Sequence, residues 1–281
     1  MPDLFDLVIK WWKQIVALVV LSLLTVGTFI FLMPQQYLAV ATAVPASSFS
    51  ADRAKIFGEN IEALYSNLGL PEDLDMITGT AQLDTVYLAV TDQFNLFDHY
   101  KIKDTDERER ASATMMLKKN THVFKSEYGE LKVKVWDTDQ NLAPQLANAI
   151  MDKLQAIHRD LQSAGNEATL KGLQSGQKKL QTQLDSMGAS AARTTGTPSE
   201  IVSGKKRALG DQLQQYEKLI GEYQLMVDSK PPVLLVVEKA KKPTWPDRPK
   251  RLLILVATGF LSFLFALLMA LVLQRRKTSR V

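Results

Sequence analysis

The stretch Leu252–Leu273, LLILVATGFLSFLFALLMALVL, runs for 22 residues without a charged side chain. As a helix it is long enough to cross a hydrocarbon core of ~30 Å. A ladder of three prolines, Pro243, Pro246 and Pro249, leads into it, and a basic tail follows it at once. The stretch therefore predicts a transmembrane helix over residues 252–273, with a short tail over residues 274–281.

A second apolar run, residues 15–33, predicts another transmembrane helix near the amino terminus. The chain between the two runs must then leave one membrane face and return to it. Lys10 and Lys13 precede the first run, whereas the next basic residue after it is Arg53. Because Lys and Arg are enriched in cytoplasmic flanks, we expect both termini in the cytoplasm and the intervening loop on the exported side.

A cleaved signal peptide is the alternative for the first run, since Ala39-Val40-Ala41 has the small-x-small pattern of a cleavage site. The run is longer than a signal-peptide core. Trp11 and Trp12 also stand where interfacial aromatic residues hold a permanent span. We therefore expect the span to remain, preceded by an amphipathic lead-in over residues 1–14.

The charge of the chain is concentrated at its membrane ends. Nine of the 34 Lys and Arg, but only three of the 30 Asp and Glu, lie before Met33 or after Pro246. The loop is thus close to neutral, and we expect no nucleic-acid partner. Because the chain has no cysteine, disulfides, thiolate nucleophiles and cysteine metal sites are excluded.

Residues 34–140 show the alternation of strands and helices that is typical of an α/β domain. Val, Ala and Thr predict a strand over residues 37–44, and two alternating runs joined at Gly129 predict a β-hairpin over residues 122–137. Apolar spacing of three and four predicts helices over residues 51–67, 81–95 and 104–119, the last opened by a capping box at Asp104. The apolar run Val233–Val237, within a returning segment over residues 229–242, predicts a buried strand beside the first one.

A long helical arm is predicted over residues 141–228. Two stretches keep the three-four alternation of a coiled-coil seam and are joined by a polar turn over residues 188–204. The seam residues that we single out are Leu154, Ile157 and Leu161 on the first stretch and Leu209, Leu213, Tyr216, Ile220 and Tyr223 on the second. The first helix would span ~70 Å and the second ~40 Å. Either a break or bend at Gly165, Gly172 or Gly176, or an extended return through the turn, would absorb the difference.

Short motifs that bind ligands elsewhere are incomplete here. Asp137, Asp139 and Asn141 match the start of a calcium loop, but its glycine and its final glutamate are missing, so helix capping is the better interpretation. Phosphate-binding loops, zinc-binding histidine spacings and nucleophile elbows are also absent. The sequence predicts no catalytic residue, no metal site and no cofactor.

Small residues form one stripe on the second predicted span. Gly259, Ser262, Ala266 and Ala270 recur at three and four residues, a spacing that lets transmembrane helices approach closely. Chance in an apolar helix is the alternative. We treat the stripe as a candidate packing surface.

Several weak motifs in a fixed order give the chain its resemblance to a known family. They are Asp6-Leu7, Tyr37–Thr42, Val135–Asp139, Leu146–Ile150 and the proline ladder Pro243, Pro246 and Pro249 with Lys250. Together they resemble the Wzz-type polysaccharide co-polymerases, the chain-length determinant proteins of the bacterial inner membrane. The chain departs from the family pattern in its shorter proline spacing and in having only Gly259 where paired glycines are common.

The resemblance implies a fold and a function. The fold is an α+β membrane protein in which two transmembrane helices frame a periplasmic α/β base domain with a long antiparallel helical arm. The function is control of the modal length of an O-antigen or related polymer, without catalysis. The implied partners are further copies of the chain in a ring-like homo-oligomer, a Wzy-type polymerase, the lipid bilayer and the lipid-linked polysaccharide.

Two alternatives stay open. Some relatives work with a cytoplasmic tyrosine kinase in capsule or exopolysaccharide export. The chain ends eight residues after Leu273 and lacks a phosphate-binding loop, so we expect no fused kinase and favour the lipopolysaccharide class. The second alternative is a two-span periplasmic sensor that signals through a separate cytoplasmic partner.

Overall fold

The computed structural model describes residues 4–46, 73–102, 106–191 and 199–278. The predicted helix over residues 51–67 and the capping box at Asp104 lie outside them. In chain order the elements are α1 (Leu4–Leu32), β1 (Tyr37–Pro45), α2 (Asp73–Thr80), α3 (Asp84–Gln93), α4 (Leu96–His99), α5 (Asp106–Lys119), β2 (Thr121–Lys125), β3 (Leu131–Asp137), α6 (Leu142–Ala191), α7 (Ser199–Ser229), β4 (Leu234–Glu238) and α8 (Arg251–Thr278). The protein is thus a mixed helix and sheet fold with long apolar helices near both termini.

The chain divides into two compact units. The first comprises Met1–Ala39, Val135–Gln145 and Lys241–Val281, and the second comprises Val40–Lys134 and Leu146–Ala240. The first unit contains all of α1 and all of α8. The second contains α2 to α5, nearly all of α6, and α7.

In the first unit, α1 and α8 pack against each other. Their segments Ile9–Leu32 and Arg251–Gln274 are each long and apolar enough to cross a membrane. Most of their side chains face outward, as lipid-facing residues do. Helix α1 runs without a break from Leu4 through its apolar part. The described residues of the expected amphipathic lead-in therefore belong to α1 itself.

A four-stranded sheet has the order β2-β3-β1-β4. The β2–β3 connection contains Gly129 with φ +74°, a left-handed conformation that glycine adopts without a Cβ penalty. Strand β4 pairs antiparallel with β1, with Val44 opposite Leu235, so the returning segment joins the first strand as its apolar run predicts. Because β4 lies at the sheet edge, Val237 is exposed, and the expectation of a fully buried strand was wrong.

The core of the second unit is built from the sheet and from helices α2, α3, α5 and α6. Its fully buried side chains include Leu74, Ile77, Val86, Leu117, Leu131, Leu146, Ile150 and Leu154. The helix predicted from residue 81 begins instead at Asp84, and α2 precedes it. Leu83 is exposed, because it stands at the N-cap and not on the buried face of α3.

Helix α6 is continuous over 50 residues, so the predicted break at its glycines was wrong. A glycine costs a helix interior only ~1 kcal/mol. That cost is too small to interrupt a helix whose neighbours supply packing on either side of the glycine. The predicted turn is also shorter than expected, because α6 reaches Ala191 and α7 already begins at Ser199.

Candidate functional site beside the two apolar helices

Three stretches that lie far apart in the sequence meet in the first unit: the residues after α1, the end of β3, and the proline segment before α8. The indole Nε1 of Trp136 donates a hydrogen bond to Asp247 Oδ2 at 2.8 Å, across 111 residues of sequence. The Arg248 guanidinium lies 3.9 Å from the centre of the same ring. We call Gln36, Trp136, Gln140, Pro243, Asp247 and Arg248 the tryptophan cluster.

Backbone hydrogen bonds fix the residues after α1 against the proline segment. The Gln36 N–H donates to the Arg248 carbonyl at 2.9 Å, and the Asp247 N–H donates to the Gln36 carbonyl at 2.9 Å. The two residues Gln36 and Arg248 form an antiparallel bridge. These bonds fix the backbone of the residues that follow α1 against the backbone of the residues that precede α8.

The turn from β3 into α6 is tied to the proline segment by one side chain. Gln140 Nε2 donates to the Pro243 carbonyl oxygen. Within the turn, Asp137 Oδ1 accepts from the Asp139 N–H at 2.8 Å, and Asp139 Oδ1 accepts from the Asn141 N–H at 2.7 Å. Both donors precede Leu142, the first residue of α6, so these carboxylates hold the turn before the helix, and the capping of α6 stays a prediction.

The predicted proline ladder lies beside this cluster in a stretch with no helix between β4 and α8. Pro243 and Pro249 are partly buried, whereas Pro246 and Lys250 are exposed. Proline has no N–H to donate, so the prolines take part only through carbonyl oxygens, as Pro243 and Pro249 do, and the N–H groups come from the residues between them, such as Asp247. Helix α8 begins immediately afterwards.

The small-residue stripe of α8 is buried within the protein. Ser262, Ala266 and Ala270 are the buried residues among the described side chains of this helix. A Cβ added at Gly259 would lie 3.8 Å from Leu23 Cδ2 of α1. The stripe therefore lines the contact between α8 and α1 of one chain, where small side chains permit close approach.

A second motif residue holds the end of β4 in the other unit. Asn148, from the stretch Leu146–Ile150, accepts from the Ala240 N–H at 2.8 Å through Oδ1 and donates to the Ala240 carbonyl at 3.2 Å through Nδ2. One side chain thereby satisfies both backbone groups of a residue that is itself buried. The pairing fixes the chain as it leaves the sheet.

The predicted seam residues divide into three groups. Leu154 is fully buried, Ile157 is half-buried and Leu161 is 59% exposed. On α7 all five predicted residues are half-buried, and most other described side chains of that helix are exposed. The five are Leu209, Leu213, Tyr216, Ile220 and Tyr223.

The exposure of Leu161 has a simple geometric reason. Below it, Leu154 is in the core of the second unit, and His158 bonds Thr80 at 2.9 Å. Above it, the stripe of less exposed residues is resumed on another face of α6, beginning at Leu170 and continuing through Leu173. Along α6, Leu161 lies beyond the end of the face that packs in the core and before the start of the face that begins at Leu170. A single seam drawn through the whole helix therefore includes a residue that neither face buries.

Sequence reasoning singled out the prolines and Lys250 but missed the tryptophan cluster and the Asn148–Ala240 pair. Trp136 and Asn148 lie within motif stretches, and Asp247 and Arg248 lie between two prolines of the ladder. Gln36, Gln140 and Ala240 lie outside the motifs. What the sequence could not supply was the pairing, because nothing in Trp136 specifies a partner 111 residues later.

Comparisons with known proteins give structural neighbours only. No protein-family model and no curated protein matches the chain. Its structure is similar to that of a full-length bacterial polysaccharide co-polymerase, with 14% identity, a TM-score of 0.48, and coverage of 99% of this chain and 98% of that chain. It is also similar to a fragment of WzzB, a polysaccharide co-polymerase from Salmonella Typhimurium, with 14% identity, a TM-score of 0.38, and coverage of 76% of this chain and 100% of the fragment.

Proposed function

We propose that the protein is a non-catalytic regulator of polysaccharide chain length in the bacterial inner membrane. It would set the modal length of an O-antigen or a related surface polymer by acting with a Wzy-type polymerase. Both termini would be cytoplasmic, and residues 34–251 would be periplasmic. The lipid-linked polysaccharide would be the second partner.

The tryptophan cluster is the observation that carries this proposal. The motif stretches behind the family resemblance run from Asp6 to Lys250. Two of them, Val135–Asp139 and the proline ladder, meet at Trp136, and Gln36, the residue before the stretch Tyr37–Thr42, bonds the same proline segment. If the resemblance had arisen by chance in short apolar and proline-rich stretches, those stretches would have no reason to contact one another in the fold. The convergence supports a common structural role for these motifs.

The contacts in this cluster suit a positioning role and not bond chemistry. Asp247 accepts from an indole, Gln140 donates to a carbonyl, and Arg248 stacks on a ring. Each group is engaged in holding two segments of the chain together. A regulator that acts on a separate polymerase needs this kind of fixed geometry at the ends of its membrane helices.

Self-association is the second part of the proposal. Helices α6 and α7 carry exposed apolar side chains, including Leu161, Leu219 and Leu225, outside the face that α7 turns inward. Apolar side chains at such positions gain free energy when a second surface covers them, by ~25 cal/mol per Å² of apolar area. We propose that neighbouring copies cover them in a ring-like homo-oligomer.

The deciding experiment compares surface polysaccharide from cells with and without the gene. Loss of the protein should convert a ladder with a modal length into one with a random distribution, and a plasmid copy should restore the mode. An unchanged ladder in the deletion strain would contradict the proposal. A similar protein of the host must also be deleted, so that the ladder reports this chain alone.

Topology can be tested separately because the chain contains no cysteine. Tyr128→Cys introduces a thiol at a position that is 87% exposed, in the β2–β3 turn. Ser279→Cys introduces one near the carboxyl end. A membrane-impermeant thiol reagent should label the first variant in cells with a permeabilised outer membrane, and the second only after lysis. Labelling of Ser279→Cys before lysis would overturn the proposed orientation.

A further inference from the structure

A cleft of ≈ 520 Å³ opens where the proline segment meets the first turn of α8. Its walls include Gln35, Trp245, Arg248, Lys250, Arg251 and Leu252. Three of these side chains are cationic. The one carboxylate that lines the cleft, Asp247, already accepts the indole hydrogen bond of Trp136 through Oδ2. The cleft is therefore strongly basic.

The two arginines are held in place by rings and not by acids. Arg248 stacks on Trp136 at 3.9 Å, and Arg251 lies 4.8 Å from the centre of the Phe31 ring. A guanidinium stacked on a ring presents its N–H groups at the edge of the plane, where they can donate to an anion. Arg251 already donates from both Nη atoms to the Gln35 side-chain oxygen, at 3.1 and 3.2 Å, so an anion would share its donors with that amide. Within the described part of the chain, no carboxylate forms a salt bridge with Arg248, Lys250 or Arg251.

The rim of the cleft is apolar on one side. Trp245 is 82% exposed and Leu252 is 79% exposed, and Leu253 beside them is also exposed. The cleft thus lies at the change from a polar segment to a helix that is apolar enough to span a membrane. Exposed tryptophans and basic residues at such a change are typical of the headgroup level of a bilayer.

The placement of these charges needs an explanation. In the proposed topology the cleft is on the exported side of the second span, where Lys and Arg near a span are normally scarce. Three basic residues within four positions run against that tendency. An anionic ligand in the cleft would form the ion pairs that the carboxylates in the described part of the protein do not form with these basic side chains.

We propose that this cleft binds the phosphate group of an anionic membrane lipid, with Arg248, Lys250 and Arg251 donating to the phosphate oxygens. Phosphate accepts charge-assisted hydrogen bonds from several donors at once, and arginine matches its geometry best. Leu252 and Trp245 would contact the acyl chains or glycerol of the same lipid. The inference rests on the proposed topology for the choice of leaflet and for the argument from charge placement, whereas the lining and the stacking of the cleft are independent of it.

The test is a titration of the purified full-length chain in an uncharged detergent, followed by calorimetry. The probes are a short-chain phosphatidylglycerol, a short-chain phosphatidylcholine and inorganic phosphate. The lipid and the inorganic ion share the phosphate chemistry, so their comparison distinguishes a lipid site from a free-anion site. Each probe is measured on the natural chain and on variants.

Two variants with the same change of charge decide whether the cleft is the site. Lys250→Gln with Arg251→Gln removes two cations from the cleft, and Lys239→Gln with Lys242→Gln removes two exposed cations outside it. The cleft pair should weaken phosphatidylglycerol binding about thirtyfold, as expected for two basic groups at an anionic surface. The control pair should leave it within about twofold of the natural chain. Lys250→Gln alone, at an exposed side chain, should give an intermediate loss.

Three results would overturn the inference. Equal loss in both variant pairs would show binding to general surface charge. Equal affinity for inorganic phosphate and for phosphatidylglycerol would show a free-anion site and not a lipid site. Absence of phosphatidylglycerol binding to the natural chain would remove the site altogether. None of these titrations reads polymer length, so the lipid site and the chain-length function can each fail without the other.

Discussion

Gly176 of α6 lies directly beneath the ring of Tyr216 of α7. A Cβ added at Gly176 would lie 2.6 Å from Tyr216 Cε1 and 3.1 Å from Cζ and the hydroxyl oxygen. Carbon atoms in contact normally stay ~3.5–4.0 Å apart. The two helices therefore pack ring against backbone at this point, and the contact depends on the absence of a side chain.

This contact predicts opposite effects for two glycines on the same helix. Gly172→Ala should raise the free energy of unfolding by ~1 kcal/mol, because alanine is the better helix former and the added Cβ meets open space. Gly176→Ala should lower it by ~1–2 kcal/mol, because displacing the Tyr216 ring outweighs the gain in helix propensity. Thermal unfolding of the two variants, followed by circular dichroism, measures the difference.

A double-mutant cycle attributes the loss to the ring. In a Tyr216→Ala background, Gly176→Ala should change from destabilising to stabilising, since the atom that it meets is gone. If Gly176→Ala lowered stability equally in both backgrounds, the contact with Tyr216 would not be the cause.

The same contact explains one limit of sequence reasoning. From the sequence, Gly165, Gly172 and Gly176 were equivalent, and each counted as a candidate break. Of these three glycines, only Gly176 has a side chain of another element within 4 Å of its added Cβ. The role of a glycine in a helix depends on what lies opposite it, and that neighbour comes from a helix 40 residues later.

Features that depend on local spacing could be predicted. The uncharged run Leu252–Leu273 predicts α8, and Gly129 predicts the hairpin. The alternation of apolar residues in β3 predicts which face of that strand is buried. Pairings over long distances could not be predicted. Trp136 with Asp247, and Asn148 with Ala240, are decided by how the chain folds back and by no local signal.

Asn148→Ala should destabilise the returning segment by ~2 kcal/mol or more. The substitution leaves the N–H and the carbonyl of buried Ala240 without their side-chain partner, and each unpaired buried group costs ~1–3 kcal/mol. Hydrogen exchange of the peptide over residues 234–240 should become faster. Gln145→Ala is the matched control, because this exposed amide bonds only the Asn141 carbonyl one turn away. Equal exchange in the two variants would show that Asn148 does not hold the segment.

Tyr87 should make stability depend on pH in the alkaline range. Its hydroxyl donates to the Ala81 carbonyl at 2.7 Å, and burial, with a smaller effect of Asp84, raises the pKa of Tyr87 to about 12. In the unfolded chain a tyrosine has a pKa of ~10. The folded state thus favours the neutral phenol. This contribution is complete below pH ~10 and is lost as the pH rises towards 12, by at most ~1.4 kcal/mol per pH unit.

Urea unfolding of the natural chain and of Tyr87→Phe measures this effect. The natural chain should be the more stable of the two at pH 7 by ~1 kcal/mol, from the hydrogen bond. Its advantage should begin to shrink near pH ~10, vanish near pH ~11 and be reversed by pH ~12. Tyr128→Phe, at an exposed side chain, controls for the substitution itself. A free-energy difference between the natural chain and Tyr87→Phe that stayed constant up to pH 12 would contradict the raised pKa.

Ala266→Leu should loosen the contact between α8 and α1. Ala266 is 3% exposed, so three added carbons have no space and overpacking costs ~1–3 kcal/mol. Ala257→Leu adds the same carbons at an exposed position of the same helix. In this cysteine-free chain, Leu23→Cys with Gly259→Cys reports the contact through the yield of a disulfide formed on oxidation. The yield should fall with Ala266→Leu and stay unchanged with Ala257→Leu. A fall with both would assign the effect to helix insertion and not to packing.

Asp247 should link the tryptophan cluster to polymer length. Asp247→Ala removes the acceptor of the Trp136 indole and leaves a partly buried N–H unpaired, which costs ~1–3 kcal/mol locally. Asp247→Asn keeps a carbonyl oxygen in the same place and removes only the charge. In a deletion strain, the Asn variant should therefore restore a modal ladder of surface polysaccharide, and the Ala variant should give a broader one. Immunoblots of the membrane fraction must show equal amounts of both proteins. If the Ala variant restored the natural ladder at equal abundance, the cluster would be a structural tie without a part in length control, and the observation that carries the proposed function would lose its force.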